Sequence, residues 1–444
     1  MAALAAGPPL KKNGAFALFW AARTVSWAGS GISGVVLPVL VYQRTGSPAL
    51  TSLLAAVEVL PYIAFGLLAG ALADRVRRRP LMVGCDLGCA ALMAAIPVAG
   101  ACGRLTIPLV VLAALGAASL FVWFDAASFG AVPALAGPGR VVQAVSGLSA
   151  AGSVTGLVAP AVAGGLLALI APAQAIIVDA ASYLVSALLL ASIRRPFETR
   201  PASAAGDGNQ PDGHDQPDGG PARDGGPARD GGAVLGGLRF LWGHRLLRAM
   251  TMAGAAVAVT GGAGTGLLVV YAVSALGLAR TDGRIGLLYT AAAAGGLIAA
   301  VAVPRIRSRV PAGRVTLAFL GLNVVAVAGV ALAPGFGFAL IALASYLFCY
   351  SMVTVNGIAY RQEVTPDGLQ SRVNTAGRML GWGGYPLGAL VGGALAEVLP
   401  IRVTLLVMAL PMAVAFVLGF RPLSRDRPPG GDRPHRGNRG ERDG

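Results

Sequence analysis

Twelve mostly apolar stretches, each about as long as a bilayer is thick, decide what this chain can fold into. They lie at 14–42, 49–73, 80–101, 106–129, 141–170, 173–193, 249–278, 284–303, 315–334, 336–360, 373–396 and 401–421. A helix that crosses a hydrocarbon core needs about 20 such residues. The segments between most of them are short, so successive spans must hairpin back and forth. Hydrophobic residues make up 55% of the 444 and charged ones only 12%, against about 25% charged in a soluble domain. A soluble chain would have nowhere to hide that apolar surface. The expected fold class is therefore all-α integral membrane, with twelve transmembrane helices. The spans are rich in Gly and Ala, which let helices approach closely where lipid gives no hydrophobic push.

Several function classes fall away. The net charge of +15 could suggest nucleic acid, but the arginines sit in short loops and tails and form no basic helix face; no nucleic-acid partner is expected. Lys11 and Lys12 are the only lysines and neither is in a glycine-rich loop, so the chain carries no Walker A lysine and cannot be its own P-loop ATPase. His214, His244 and His435 all fall in loops, linker or tail, which removes an intramembrane His relay, haem ligation and zinc catalysis. Cys85 and Cys89 share a helix face, but nothing supplies two further zinc ligands. With Cys102 and Cys349 they read as small packing residues. No metal and no enzymatic activity are expected. Residues 1–13 read as a short basic leader before a span too long for the apolar core of a cleaved signal.

Arginine placement sets sidedness. With the N-terminus in the cytoplasm, Arg44, Arg104, Arg280, Arg284 and Arg402 are the five basic residues in outer loops. Nearly all the others fall in inner loops, span ends and tails. Both termini are expected inside, in a multi-pass protein of the cell inner (cytoplasmic) membrane. The domain reading is a six-helix half at 1–195, a disordered linker at 196–232, an amphipathic helix plus a second six-helix half at 233–421, and a disordered basic tail at 422–444. The linker has almost no apolar side chains and cannot build a core. Residues 234–250 set Leu235, Leu238, Phe240, Leu241, Leu246 and Leu247 against Arg239, His244, Arg245 and Arg248, the pattern of a helix lying on a leaflet. The halves echo each other: Pro133 with Arg140-Val141 after the fourth span, Pro366 with Arg372-Val373 after the tenth.

The loop at 69–80 is Ala-Gly-Ala-Leu-Ala-Asp-Arg-Val-Arg-Arg-Arg-Pro. Gly70, Asp74, Arg75, Arg78 and Arg79 resemble the loop 2–3 signature of the major facilitator superfamily, G-x-x-x-D-R-x-x-R-R-[RP]. Arg361-Gln362 through Pro366 with Arg372-Val373-Asn374, and Pro386 through Gly393, resemble the loop 10–11 and span 11 of its drug:proton antiporter branch. That branch includes macrolide-efflux and enterobactin-exporter-like proteins. Gly156, Pro160, Gly164 and Gly165 in span 5 resemble the antiporter motif, with Ala159-Pro160 where Gly-Pro is usual; generic small-residue packing is the other reading. The resemblance implies two pseudo-repeated six-helix halves with a site between them. It further implies proton-coupled export of a small amphipathic molecule by alternating access, with a proton gradient and no cofactor. The implied partners are the lipid bilayer, the substrate and protons, and a monomer is expected.

Ionisable groups inside spans are functional candidates because burying them is costly. They are Arg23, Glu58, Asp86, Asp125, Asp179 and Arg378. Glu58 lies about 24 Å along its helix from Asp74, near the midplane. Glu58, Arg23 and Asp179 are the proton-coupling candidates; a permanent Arg23–Glu58 ion pair is the structural alternative. Gly70, Asp74, Arg75, Arg78, Arg79, Asp86, Asp125 and Asn374 are assigned to a cytoplasmic gate. There Asp74 would cap the N-terminus of span 11, as the resemblance implies. The other reading of that loop is a purely topogenic one. Tyr346, Tyr350, Trp382 and Tyr385 are candidate cavity residues, or simple packing. Two rivals stay open: an importer or facilitator of a polar metabolite, which would want polar groups in both halves, and a non-transporting scaffold.

Overall fold

The computed structural model describes residues 13–73, 76–137, 139–195, 197, 238–366 and 369–425. Among them there is no strand. The helices are α1 Gly14–Thr45, α2 Pro48–Ala73, α3 Arg78–Ala101, α4 Ile107–Ala136, α5 Val141–Leu169, α6 Pro172–Ala175, α7 Ile177–Ser192, α8 238–243, α9 Arg245–Gly266, α10 Leu268–Ser274, α11 Arg284–Arg307, α12 Ala312–Ala331, α13 Phe336–Val364, α14 Gln370–Val398, α15 Ile401–Met408 and α16 Leu410–Ser424. Local chemistry sets several ends. The Asn13 side chain accepts from the Phe16 N–H at 3.3 Å, capping α1, and donates to the Leu135 carbonyl at 2.7 Å, tying that cap to the end of α4. Gly46, at φ 65°, closes α1 in the left-handed region that suits glycine.

Among the described residues, eleven segments are long and apolar enough to cross a membrane. Three of the twelve expected spans are each broken in two, at Ile176, Leu267 and Ala409. The remaining span is α14. Its 29 residues are ample in length, but glycines and the charges Arg372, Arg378 and Glu397 dilute its apolar character. It lies between the halves, against α9 and α2, where lipid contact is not what shapes a helix.

The packing repeats. In the first half α1 meets α7 and α5, α2 meets α4, and α3 meets α4 and α7. In the second, α9 meets α16 and α14, α11 meets α13, and α12 meets α13 and α16. Each pair has its counterpart six spans on. The contacts between halves repeat as well: α2 on α14 matches α11 on α5. The outer surface is apolar, with Leu112, Phe129, Leu188, Ile341, Val417 and Leu418 all exposed, as a lipid-facing belt requires.

Two boundaries differ from the sequence reading. Phe197, placed in the linker, is buried against Phe19, with ring centroids 6.4 Å apart. Residues 196 and 198–237, the rest of the linker, and the tail beyond 425 lie outside the described residues. The surface helix expected over 234–250 is two pieces. The His244 Nδ1 accepts from the Leu247 N–H at 3.2 Å and starts α9. Leu241 and Leu247 are buried against Val373 and Ala376 of α14 instead of facing lipid, because α14 begins directly beneath them.

Candidate substrate cavity and the polar core beside it

The halves are drawn together at one end. α5 lies so close to α11 that a Cβ on Gly164 would overlap the Gly283 carbonyl, and one on Gly286 would overlap the Pro160 carbonyl. Backbone touches backbone, which only glycine permits. Of the antiporter-like stretch, Pro160 and Gly164 form this seam, whereas Cβ positions on Gly156 and Gly165 meet open space. At the same end the Glu397 carboxylate, late in α14, accepts from the Ser47 hydroxyl at 2.5 Å and the Ala49 N–H at 3.0 Å. It thereby caps the start of α2, where N–H groups lack partners and the helix dipole favours an anion. Arg280 donates to the Gln43 carbonyl at 3.1 Å, and the Tyr42 and Ser274 hydroxyls lie 3.3 Å apart. These four hydrogen bonds, among the described residues, join the halves at 42–49, 274–280 and 397.

Toward the other end a cavity of about 370 Å³ opens, walled by the second half with Val59 as its lining residue from the first, within the range of small-molecule sites. The first turns of α9, the last turns of α13 and the first turns of α14 line it, with Val59 of α2. Its walls are largely apolar, with Tyr350, Tyr385, Arg361 and Arg378 among them. Tyr346, expected here, turns into the second half and faces a smaller void beside Thr260 and Tyr271, its hydroxyl buried without a partner. Its ring is tilted 64° to Tyr350 with centroids 6.4 Å apart. The Trp382 side chain lies outside the described residues. Glu58 is exposed toward the space between the halves. Its carboxyl is within electrostatic reach of Tyr385 of α14 and Tyr289 of α11. Sequence reasoning missed Tyr289, although a lone tyrosine in a span of small and aliphatic residues was a usable signal.

Arg23 does not pair with Glu58. Its guanidinium binds the Asp125 carboxylate at 2.8 Å and sits over Trp27, 4.4 Å from the ring centroid, and Phe124, 5.0 Å away. Arg23 faces α4 inside the first half, whereas Glu58 faces the second half. Asp86 also leaves the gate: it is buried in the first half and accepts from the Ser186 hydroxyl at 2.6 Å. Asp179 is buried beside Ser182 at 3.4 Å; Gly29 makes room for it, since a Cβ there would come within 2.7 Å of its carboxylate. These groups form a polar core spanning α1, α3, α4 and α7, apart from Glu58.

Arg78 donates to the carbonyls of Gly130 at 2.8 Å and Phe197 at 3.3 Å, and Arg79 to that of Ala191. Both brace their own half. Gly70 is in the last turn of α2, and Asp74 and Arg75 lie outside the described residues. Asn374 shares a shallow polar recess with Arg361, Gln362 and Gln370.

The sequence of residues 19–385 matches the model of the Major Facilitator Superfamily. The chain is a member of that superfamily. Among its major facilitator relatives, the multidrug efflux pump Tap of Mycolicibacterium fortuitum is 27% identical over 428 residues, covering 94% of this chain and 97% of that protein. Macrolide efflux protein A of Streptococcus pyogenes is 28% identical over 182 residues, covering 41% of this chain and 45% of that protein. The chain thus spans about half the length of that second relative. A solved bacterial homolog of the human lysosomal transporter Spinster, in an inward-facing and unoccupied conformation, superposes with a TM-score of 0.70 at 15% identity, covering 93% of this chain and 98% of that one. The nucleoside transporter NupG superposes at 0.73 with 12% identity, covering 93% and 100%. At these identities the superpositions establish the fold alone; membership of the superfamily makes the chain a multi-pass membrane transporter.

Proposed function

We propose that this major facilitator protein exports a small amphipathic molecule in exchange for protons, working alone in the cell inner membrane. The observation that carries the reading is an apolar, tyrosine-lined cavity between the halves with one acid, Glu58, exposed to the space that separates them. A carboxyl in such a setting can take up and release a proton as its access to water changes. The named efflux pumps among its relatives support the direction. With the basic loops in the cytoplasm, the open end faces inward. The closed end, with its glycine seam and the Glu397 cap, faces outward. In the outward-open state the inner ends would come together, and Asp74 would then cap the start of α14 as Glu397 now caps α2. Arg23–Asp125, Asp86 and Asp179 stay within one rocking half; Asp179 and Arg23 serve as the proton path's second rank behind Glu58.

The test uses the full chain in proteoliposomes with a pH-sensitive dye inside, under an imposed pH gradient and with a panel of amphipathic dyes, anionic, neutral and cationic. Glu58→Gln is expected to reduce substrate-induced proton flux at least tenfold while leaving the elution profile of the purified protein unchanged. Wild-type flux in Glu58→Gln would end the proton-coupling role of this residue.

A further inference from the structure

We infer that the cavity holds the anionic head of its ligand at Arg361 and Thr251, so that the molecules it binds are amphipathic anions. This deepens the export reading and rests on the same cavity being the substrate site. Two polar atoms in the cavity wall lack partners. Arg361 is 8% exposed and its Nε–H is buried with no acceptor; Thr251 is 4% exposed and its hydroxyl is buried with none. Both residues line the cavity. A buried donor without an acceptor carries an uncompensated desolvation cost, larger when the group is charged, so a pair of them in one cavity wall calls for an explanation.

The seat of Arg361 is built. A Cβ on Gly377 would overlap its guanidinium, so the bare backbone of α14 makes the slot in which the side chain lies across the gap between helices. The guanidinium plane can then present its edge to a carboxylate, sulfonate or phosphate, which a point charge cannot do as well. Arg378 lines the same cavity, and none of the residues lining it is an Asp or Glu. The local charge is therefore positive. Tyr385, beside Glu58, is eight residues beyond Gly377 on α14, about 12 Å along the helix. The acid is thus at the opposite pole of the cavity from the arginine slot. Between them Val353, Ile358 and Tyr350 form an apolar wall that suits the ligand's body. The head could belong to a soluble anionic amphiphile or to an anionic lipid; the chemistry is the same.

The test is equilibrium binding, with no gradient, to the full chain in nanodiscs of phosphatidylcholine. The probe is the fluorescent anion 1-anilinonaphthalene-8-sulfonate, with a dansyl-trimethylammonium probe as its cationic counterpart. The anion is expected to bind at least tenfold tighter than the cation. Arg361→Gln should weaken the anion at least tenfold and leave the cation unchanged or tighter. Arg361→Lys should fall between, and Thr251→Val, which keeps volume, should weaken the anion a few-fold. If Arg361→Gln fails to fold, Thr251→Val and Gly377→Ala carry the test, each with the anion weakened and the cation not. Equal affinity for both probes, or anion affinity indifferent to all these variants, overturns the inference. Adding phosphatidylglycerol to the nanodiscs identifies the source: displacement of the anionic probe means a lipid head, no displacement a soluble amphiphile, and either supports the shared chemistry. Because no proton gradient is present, a failure of Glu58→Gln to affect flux would leave this result standing, and the converse also holds.

Discussion

The two ends of the interface between halves are held by different means. At the closed end, backbone meets backbone at Gly164, Gly283 and Gly286, and Glu397 reaches across to α2. At the open end, Arg78 donates to the carbonyls of Gly130 and Phe197 and Arg79 to that of Ala191, all in their own half. The lesson is that charge alone does not mark a gate. A basic loop can brace one domain, while a gate can be made of residues with no side chain at all.

The largest break in this contrast should come from the seam. Gly286→Leu drives a side chain into the Pro160 carbonyl, and backbone cannot move aside as a side chain would. Overpacking costs roughly 1–3 kcal/mol and sometimes more. Spin labels at 46 and 399 should move apart by several ångströms, with transport down tenfold or more. Gly156→Ala and Gly165→Ala, in the same motif but facing open space, should change neither. If all three variants behave alike, the seam is not what closes that end.

A smaller shift should follow Glu397→Gln. It keeps the shape but removes the charge that accepts from Ser47 and Ala49. A charged cap on a helix start is favourable by roughly 0.3–1 kcal/mol, so the closed population should fall by up to about fivefold. Double electron–electron resonance between the same labels reads this directly, and an unchanged distance distribution would remove Glu397 from the closure.

The smallest effect concerns the loop that leads into α11. Asp282 accepts from Arg284 through both side chain and backbone, and this holds its carboxyl below the usual carboxylate range. A depressed value means that the ionised form is favoured by the fold. The contribution is therefore present above the ordinary carboxylate range and is lost as pH falls through the lowered value. Acidification should loosen the wild-type loop slightly, seen as faster amide exchange at 283–286, and Asp282→Asn should show that exchange rate at every pH.

Much of the fold was legible because a membrane imposes one rule, an apolar run of bilayer length, and the runs obeyed it at all but α14. The motif stretches marked the right helices too. What periodicity could not supply was which faces meet. Arg23 found Asp125 and not Glu58 because helix rotation, not depth, chose the partner. With small residues on several faces of α1, no residue pattern determines that rotation. Asp86 sits near the end of its span in number, yet the bundle closes over it. Arg361 was visible only as part of a loop motif; the space that gives it a role is an absence, the missing Cβ of Gly377.

The seam has a consequence for how such a protein diversifies. α5 and α11, which carry it, contribute no residue to the cavity wall. Substitutions on α9 and α13 that admit a bulkier or differently charged compound leave the seam's backbone contact untouched. A change of substrate can therefore reshape what is recognised without first re-solving how the closed end shuts, and the glycines are the part of the inheritance that must be left alone.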